Sequence, residues 1–387
     1  MIKTCPFCDS TLLPGGKICP KCGKHISQVQ DPENINKLSV ETQHLKPKTI
    51  IGKKKISYIA TFILALILIS IVFYSVLPTY FFITGENLYN KGKYENAISY
   101  FDRALDINQD YSEAWTYRGY SYLELDKYSS ANYSFNKVLE KDAYNREAIM
   151  GEWVSKGWIE RWNMNFDAAS ACFDEAIKVS PDNPYAWYQK GSFLQNTGIG
   201  GSIEYFNKAI EIDPNYKQAW YNKGFELSLS NPKEALSCLE KALKLDPYYT
   251  EAWYRKGSVL MKENRISEAT ISFDKAISLD PYNTYQIVQV GSNYFFKQMY
   301  SEALRYYEMA ITIDPDYAYP WLLKGDVYYE QKDYEKSLEC YEKAILIKSD
   351  FINAWEGKAK VYKTIGNDSE YKYCIEKIKS INPEYMN

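Results

Sequence analysis

The chain has 387 residues, with 46 basic against 49 acidic side chains, a net charge of −3, and 37 tyrosines beside only two histidines. Ten lysines and four acids fall within the first 55 residues, so this head is basic and the body carries −9, which leaves the body no basic face for nucleic-acid phosphates. Both histidines, His25 and His44, lie in the head, and the body therefore lacks the imidazoles on which most acid/base and metal chemistry relies.

The first element reads CPFCDSTLLPGGKICPKCG from Cys5 to Gly23. Two Cys-x-x-Cys pairs, Cys5/Cys8 and Cys19/Cys22, each form a knuckle, and the turn at Pro14, Gly15 and Gly16 folds one onto the other. Four thiolates at about 2.3 Å close the tetrahedral shell of a structural Zn²⁺, with no open position for a catalytic water. A disulfide pair or a redox dithiol is the alternative chemistry for these spacings. Residues 1–27 resemble the short zinc-ribbon family, which implies a small β zinc ribbon held by those four cysteines. Lys17, Lys21 and Lys24 are placed to touch phosphate, so a membrane sensor whose ribbon contacts nucleic acid is carried as an alternative reading.

Residues 28–55 are polar, weakly periodic and free of aromatics, the composition of a flexible basic linker. Residues 56–77 then contain no charge, and fourteen of these 22 are Leu, Ile, Val or Phe. At about 1.5 Å per residue such a helix spans about 33 Å, enough to cross a hydrocarbon core of about 30 Å. Lys46, Lys48, Lys53, Lys54 and Lys55 crowd its front edge, whereas the first basic residues behind it are Lys91 and Lys93. The positive-inside rule then leaves the N-terminus in the cytoplasm and exports the C-terminal body. Zinc thiolates also favour the reducing side of the membrane for the head. Pro78 is expected to mark a break between the spanning helix and the first helix of the body.

Beyond Pro78 the sequence repeats. AWYQKG at 186, AWYNKG at 219 and AWYRKG at 252 recur every 33 residues, each with Gly four after Trp, and after Trp253 Ala follows at sixteen and an aromatic at twenty. This pattern resembles the tetratricopeptide repeat (TPR) over 78–387. With Trp253 at position 4, Gly257, Ala269, Phe273, Ala276 and Pro281 fall at positions 8, 20, 24, 27 and 32, and Lys256 departs from the usual Leu at position 7. The implied fold is all-α, a solenoid of about nine helical hairpins in which small residues let helices approach and rings fill the gaps between repeats. Trp115 to Trp153 is 38 residues, and the extra four near Arg146 are expected to lengthen a helix. Cys172, Cys238, Cys340 and Cys374 share one repeat position and read as packing residues, and the Asp-Pro pairs at 213, 246, 280 and 314 read as turns.

In the TPR family, positions 2, 5, 9, 12 and 13 face a bound partner. Carried onto this chain, they imply a groove lined by Tyr89, Tyr120, Trp158, Trp162, Tyr188, Tyr221, Phe225, Tyr254, Phe295 and Tyr329, suited to a protein or peptide partner. The Lys and Asn with which some family members grip a terminal carboxylate are missing at positions 5 and 9. No nucleophile-base pair, phosphate loop or open metal site appears, so the expected activity is a membrane-anchored, non-enzymatic scaffold. An alternative keeps this architecture with the solenoid in the cytoplasm, organising a membrane complex.

Overall fold

The computed structural model describes residues 53–384, and the chain divides into two units after Leu68. The head with Cys5, Cys8, Cys19 and Cys22, its expected β ribbon and the linker to residue 52 lie outside the described residues. In the first unit, helix α1 (Lys53–Ile71) begins, and the side chains from Thr61 to Leu68 are all exposed. Among the described residues, one helical stretch, Thr61–Tyr89, is long and apolar enough to cross a membrane by length and composition.

In the second unit the backbone is π-helical from Val72 to Val76, and α2 (Leu77–Tyr89) follows with Val76 still in the right-handed helical region. The break expected at Pro78 is therefore absent. A proline lacks the N–H of an ordinary helical bond and its ring meets the carbonyl four residues back; a π turn widens the helix there and relieves both conflicts.

From α2 onward eighteen helices pair into nine hairpins, with no strand among the described residues. The first four hairpins are α2 with α3 (Tyr94–Ile107), α4 (Ser112–Leu123) with α5 (Tyr128–Leu139), α6 (Arg146–Trp162) with α7 (Phe166–Val179), and α8 (Pro184–Thr197) with α9 (Ser202–Ile212). They continue as α10 (Lys217–Leu227) with α11 (Pro232–Leu245), α12 (Thr250–Lys262) with α13 (Ile266–Leu279), and α14 (Thr284–Phe296) with α15 (Tyr300–Ile313). The last two are α16 (Ala318–Glu330) with α17 (Tyr334–Ile347) and α18 (Ile352–Thr364) with α19 (Asp368–Ile381). The four extra residues before the third repeat do lengthen a helix: α6 has 17 residues where α12 and α14 have 13.

Glycine at position 8 and a ring at position 24 form one device. A Cβ added at Gly257 would lie 2.6 Å from the ring of Phe273, and one at Gly325 would lie 2.6 Å from Tyr341. Only hydrogen fits there, so the two helices of a hairpin close onto a fully buried ring. In the last repeat Ala359 stands at position 8 and Ile375 at position 24, both in one cluster, so a narrower side chain leaves room for the methyl.

Two further devices join successive repeats. The indole Nε1 of Trp115, Trp187, Trp220, Trp253 and Trp355 donates at 2.9–3.0 Å to the carbonyl six residues upstream, in the preceding turn. In five repeats the cation at position 7 pairs with an acid in the second helix of the previous repeat: Arg118 with Asp102, Lys190 with Asp174, Lys256 with Glu240, Lys324 with Glu308, and Lys358 with Glu342, all at 2.7–3.1 Å; Lys156 and Lys223 pair within their own repeat. Lys256, the departure at position 7, thus belongs to a ladder of cross-repeat ion pairs. Its ammonium also lies 5.7 Å from the Trp253 ring, as Lys324 lies 5.4 Å from Trp321.

The turns repeat as faithfully. Asp213, Asp246 and Asp314 each accept from the backbone N–H two residues on, so the Asp-Pro pairs close turns. Cys238, Cys340 and Cys374 are buried, Cys172 is half-buried, and all four are free thiols.

Trp253→Phe keeps a ring at position 4 and removes only the bond to the Pro247 carbonyl, so it is expected to cost about 1 kcal/mol. Thermal unfolding of the two proteins measures it; equal midpoints would show that the indole serves as a filler and not as a tie.

Candidate functional site

Positions 12 and 13 of the first helices of the second, third and fourth repeats, Leu123 and Glu124, Arg161 and Trp162, Gln195 and Asn196, meet in a cavity of about 350 Å³. Its wall holds Glu124 and Asp126 from the end of α4 and its turn, Tyr128 from α5, Trp158, Arg161 and Trp162 from α6, and Tyr188 and Gln195 from α8. Asn222 of α10 closes one end and donates at 3.2 Å to the Tyr188 hydroxyl oxygen.

Arg161 and Trp162 stand at positions 12 and 13 in the last turn of α6, whose four extra residues lie at its other end, and Asp126, in the left-handed turn at φ 56°, accepts a 2.7 Å bond from the Tyr128 hydroxyl. Tyr128 stacks on Trp158 with centroids 5.6 Å apart and planes 11° from parallel. Trp158 donates its Nε1 at 2.8 Å to Gln189, so this buried indole has its partner in the next repeat.

Glu124 is the electrostatic centre. Its carboxyl accepts a 3.4 Å bond from the Tyr185 hydroxyl and another from Tyr94. Desolvation by the surrounding rings pushes it up to about 7, against the pull of those two hydroxyls, and Asp126 adds to the rise. The same burial raises Tyr89, Tyr94 and Tyr185 well above the ordinary phenol, and holds Tyr188 at about 12. Every one of these tyrosines keeps its phenolic proton at physiological pH.

The structure separates the ten expected groove residues into groups. Tyr120 is a correction: it is 7% exposed and belongs to the core, because it packs edge-on against both Phe135 and Tyr185; Trp158, 8% exposed between Tyr128 and Phe173, is mostly buried but still lines the cavity. Trp162 is 74% exposed. Tyr89, Tyr188, Tyr221, Phe225, Tyr254, Phe295 and Tyr329 are half-buried. Several of these already have ring partners: Arg255 covers Phe225 at 3.9 Å, Lys360 covers Tyr329 at 4.0 Å, and Tyr249 lies 5.0 Å from Tyr221. Of the ten, the cavity brings together Trp158, Trp162 and Tyr188; Phe295 and Tyr329 lie repeats away.

Glu124 and Arg161 fill positions 13 and 12 of their repeats, so the pattern that nominated the rings also pointed to them; selecting aromatics alone passed them over. Asp126 and Tyr128 come from a turn and a second helix, where the pattern carried no signal. Among the described residues, no group of three His, Cys, Asp or Glu side chains is arranged to hold a metal.

Comparison with known proteins bears on the repeats. A family model described as tetratricopeptide repeat matches residues 84–146, 163–217 and 226–284, a second so described matches 287–317, and a TPR repeat model matches 325–366. No curated protein matches the sequence. Among solved structures the chain is similar to yeast Tom70, at 16% identity over 80% of this chain and 85% of that one, with a TM-score of 0.45. It is also similar to YrrB, described as a TPR protein with an unusual peptide-binding site, at 26% identity over 48% of this chain and 97% of that one, TM-score 0.37. A third is a human IFIT1 dimer with PPP-AAAA, at 18% identity over 77% and 81%, TM-score 0.47.

Proposed function

We propose, from the premise that this chain belongs to the tetratricopeptide-repeat family, that it is a non-catalytic scaffold holding a protein partner in an extended form along the concave face of its solenoid. The observation that carries this reading is the cavity spanning four successive repeats, where ring faces, amides and a carboxylate converge from separate helices. An extended segment has an exposed backbone N–H at nearly every residue, and the amide oxygens of Asn196 and Gln195, whose nitrogens already donate to Ser192, Asn222 and Glu226, suit such donors without chemistry of their own.

The reading includes an anchor and a sidedness. The charge-free run 56–77 crosses the bilayer as one helix, and its side chains Phe62, Leu64, Ile69 and Phe73, between 47% and 65% exposed, support a lipid-facing surface. Lysines ahead of the run hold the N-terminus in the cytoplasm, so the solenoid works on the far side. Cys5, Cys8, Cys19 and Cys22 hold a structural Zn²⁺ on the cytoplasmic side.

A photocrosslinking amino acid at position 162, on the concave side, or at position 271, an exposed site on the second helix α13, tests the groove in native membranes. Position 162 is expected to yield discrete protein adducts and position 271 none; the same adducts from both would remove the groove reading. Protease added outside sealed right-side-out vesicles is expected to digest the solenoid and spare the head. Protection of the solenoid would place it in the cytoplasm instead.

A further inference from the structure

The cavity between α4, α6, α8 and α10 has a charge it does not balance. Its wall holds two carboxylates, Glu124 and Asp126, against one cation, Arg161; Asp126 accepts from the Tyr128 hydroxyl, and the Arg161 cation acts on that same tyrosine. Glu124 has no such partner. Tyr94 from α3, Tyr185 from α8 and Asp126 are the groups that act on it, and no cation of the described residues forms an ion pair with it. Two phenols would hold a glutamine side chain equally well, so hydrogen bonding alone does not call for a carboxylate here. A desolvated negative charge without a counter-ion is costly unless something enters to neutralise it.

Five indoles of the solenoid, Trp115, Trp153, Trp253, Trp321 and Trp355, each carry a cation from their own helix at 4.8–5.8 Å, whereas Trp187 and Trp220, which tie their Nε1 to a carbonyl, have no cation over them among the described residues. Trp162, 74% exposed at the cavity wall, carries none among the described residues. A further group waits for a ligand: the Arg161 Nε is buried and makes no hydrogen bond, although a guanidinium N–H in that state costs free energy until an acceptor reaches it.

We propose that this cavity is a subsite for a lysine or arginine side chain projecting from the partner's extended segment, with Glu124 as counter-ion, Trp162 and Tyr188 as ring faces, and Arg161 Nε donating to the segment's main-chain carbonyl. The proposal rests on the groove reading above and adds the chemistry of what the groove selects. A space of about 350 Å³ admits one long side chain, at the small end of ligand sites. Two carboxylates repel an acidic residue, and two are too few oxygens for a hard metal cation, which takes six or more.

The test pans the full-length protein, in detergent micelles, against a random heptapeptide display library. Selected peptides are expected to share Lys or Arg at one position. Replacing that residue by norleucine in the synthetic peptide is expected to weaken binding to the wild type ten- to a hundredfold, as a desolvated charge pair does. Glu124→Gln binds the basic peptide as weakly as the norleucine one, whereas the exposed-site variant Trp162→Ala, which leaves the core untouched, loses several-fold of the preference. Peptides selected without a common basic residue, or a lysine preference unchanged in both variants, overturn the subsite and leave the groove standing. A library that yields no binder overturns the groove reading and the subsite with it.

Discussion

Phe135→Ala is expected to destabilise the solenoid by about 3–5 kcal/mol, the cost of emptying a fully buried ring site. Phe135 lies between two glycines from consecutive repeats: a Cβ at Gly119 would meet its ring at 2.7 Å and one at Gly151 at 2.5 Å. It therefore closes its own hairpin, α4 with α5, and also seats the next, α6. In a solenoid each repeat is stabilised through contacts with its neighbours, so the damage concentrates at that joint. Hydrogen exchange is expected to show lost protection across α4 to α6 and unchanged protection in α16 to α19. The exposed control Tyr144→Ala, 91% exposed, should stay within about 0.5 kcal/mol of the wild type. A converse follows from the last repeat, where Ala359 and Ile375 replace the glycine and the ring. Gly119→Ala alone forces a methyl into the Phe135 ring, at about 1–3 kcal/mol, and combined with Phe135→Ile it should cost less than the two single changes summed. Strict additivity would show that the glycine and the ring are independent, and the clamp would be wrong.

How much of this was legible beforehand depends on whether a feature is local to one repeat. The period, the nine hairpins and the close approach at position 8 follow from Trp253, Gly257, Ala269 and Phe273, residues that meet inside one hairpin or against the next. The lengthening of α6 follows from counting residues between Trp115 and Trp153. Lys256 is different. Its partner Glu240 lies in the previous repeat, and only the stacking angle puts an acid there, so a departure from the family pattern became a recurring ion pair. The burial of Tyr120 depends on a still longer reach. Tyr185 comes from two repeats further on, 5.2 Å away, because the superhelix turns tightly enough to bring α4 and α8 into ring contact. A positional rule that treats each repeat as a separate face cannot register that turn, and so it counted Tyr120 as groove lining.

Glu124 is expected to make the solenoid less stable as the pH rises through neutrality. In the unfolded chain its carboxyl titrates near the ordinary value of about 4.3, whereas in the folded protein burial raises it to about 7. The folded state thus holds a proton that the unfolded chain has released, and the associated stability is fully present below about pH 4.3 and lost as the pH rises through 7. The shift corresponds to at most about 4 kcal/mol, and the opening of the cavity to solvent reduces this to about 1–2 kcal/mol. Other groups titrate across the same range. Asp326, buried against the Tyr341 hydroxyl, is raised and acts in the same direction, while the ion pairs of Asp182 and Asp333 lower those carboxyls and act in the opposite one. The difference between wild type and Glu124→Gln isolates one residue, because glutamine keeps an acceptor for Tyr94 and Tyr185 and carries no charge at any pH. The variant is expected to be the more stable protein at pH 8, and the gap should close towards pH 5. Parallel stability curves across that range would mean that Glu124 is ordinarily solvated. The same carboxylate would then carry no stored electrostatic cost for an incoming cation to relieve, so the pH dependence of folding and the selectivity of the groove stand on one physical fact.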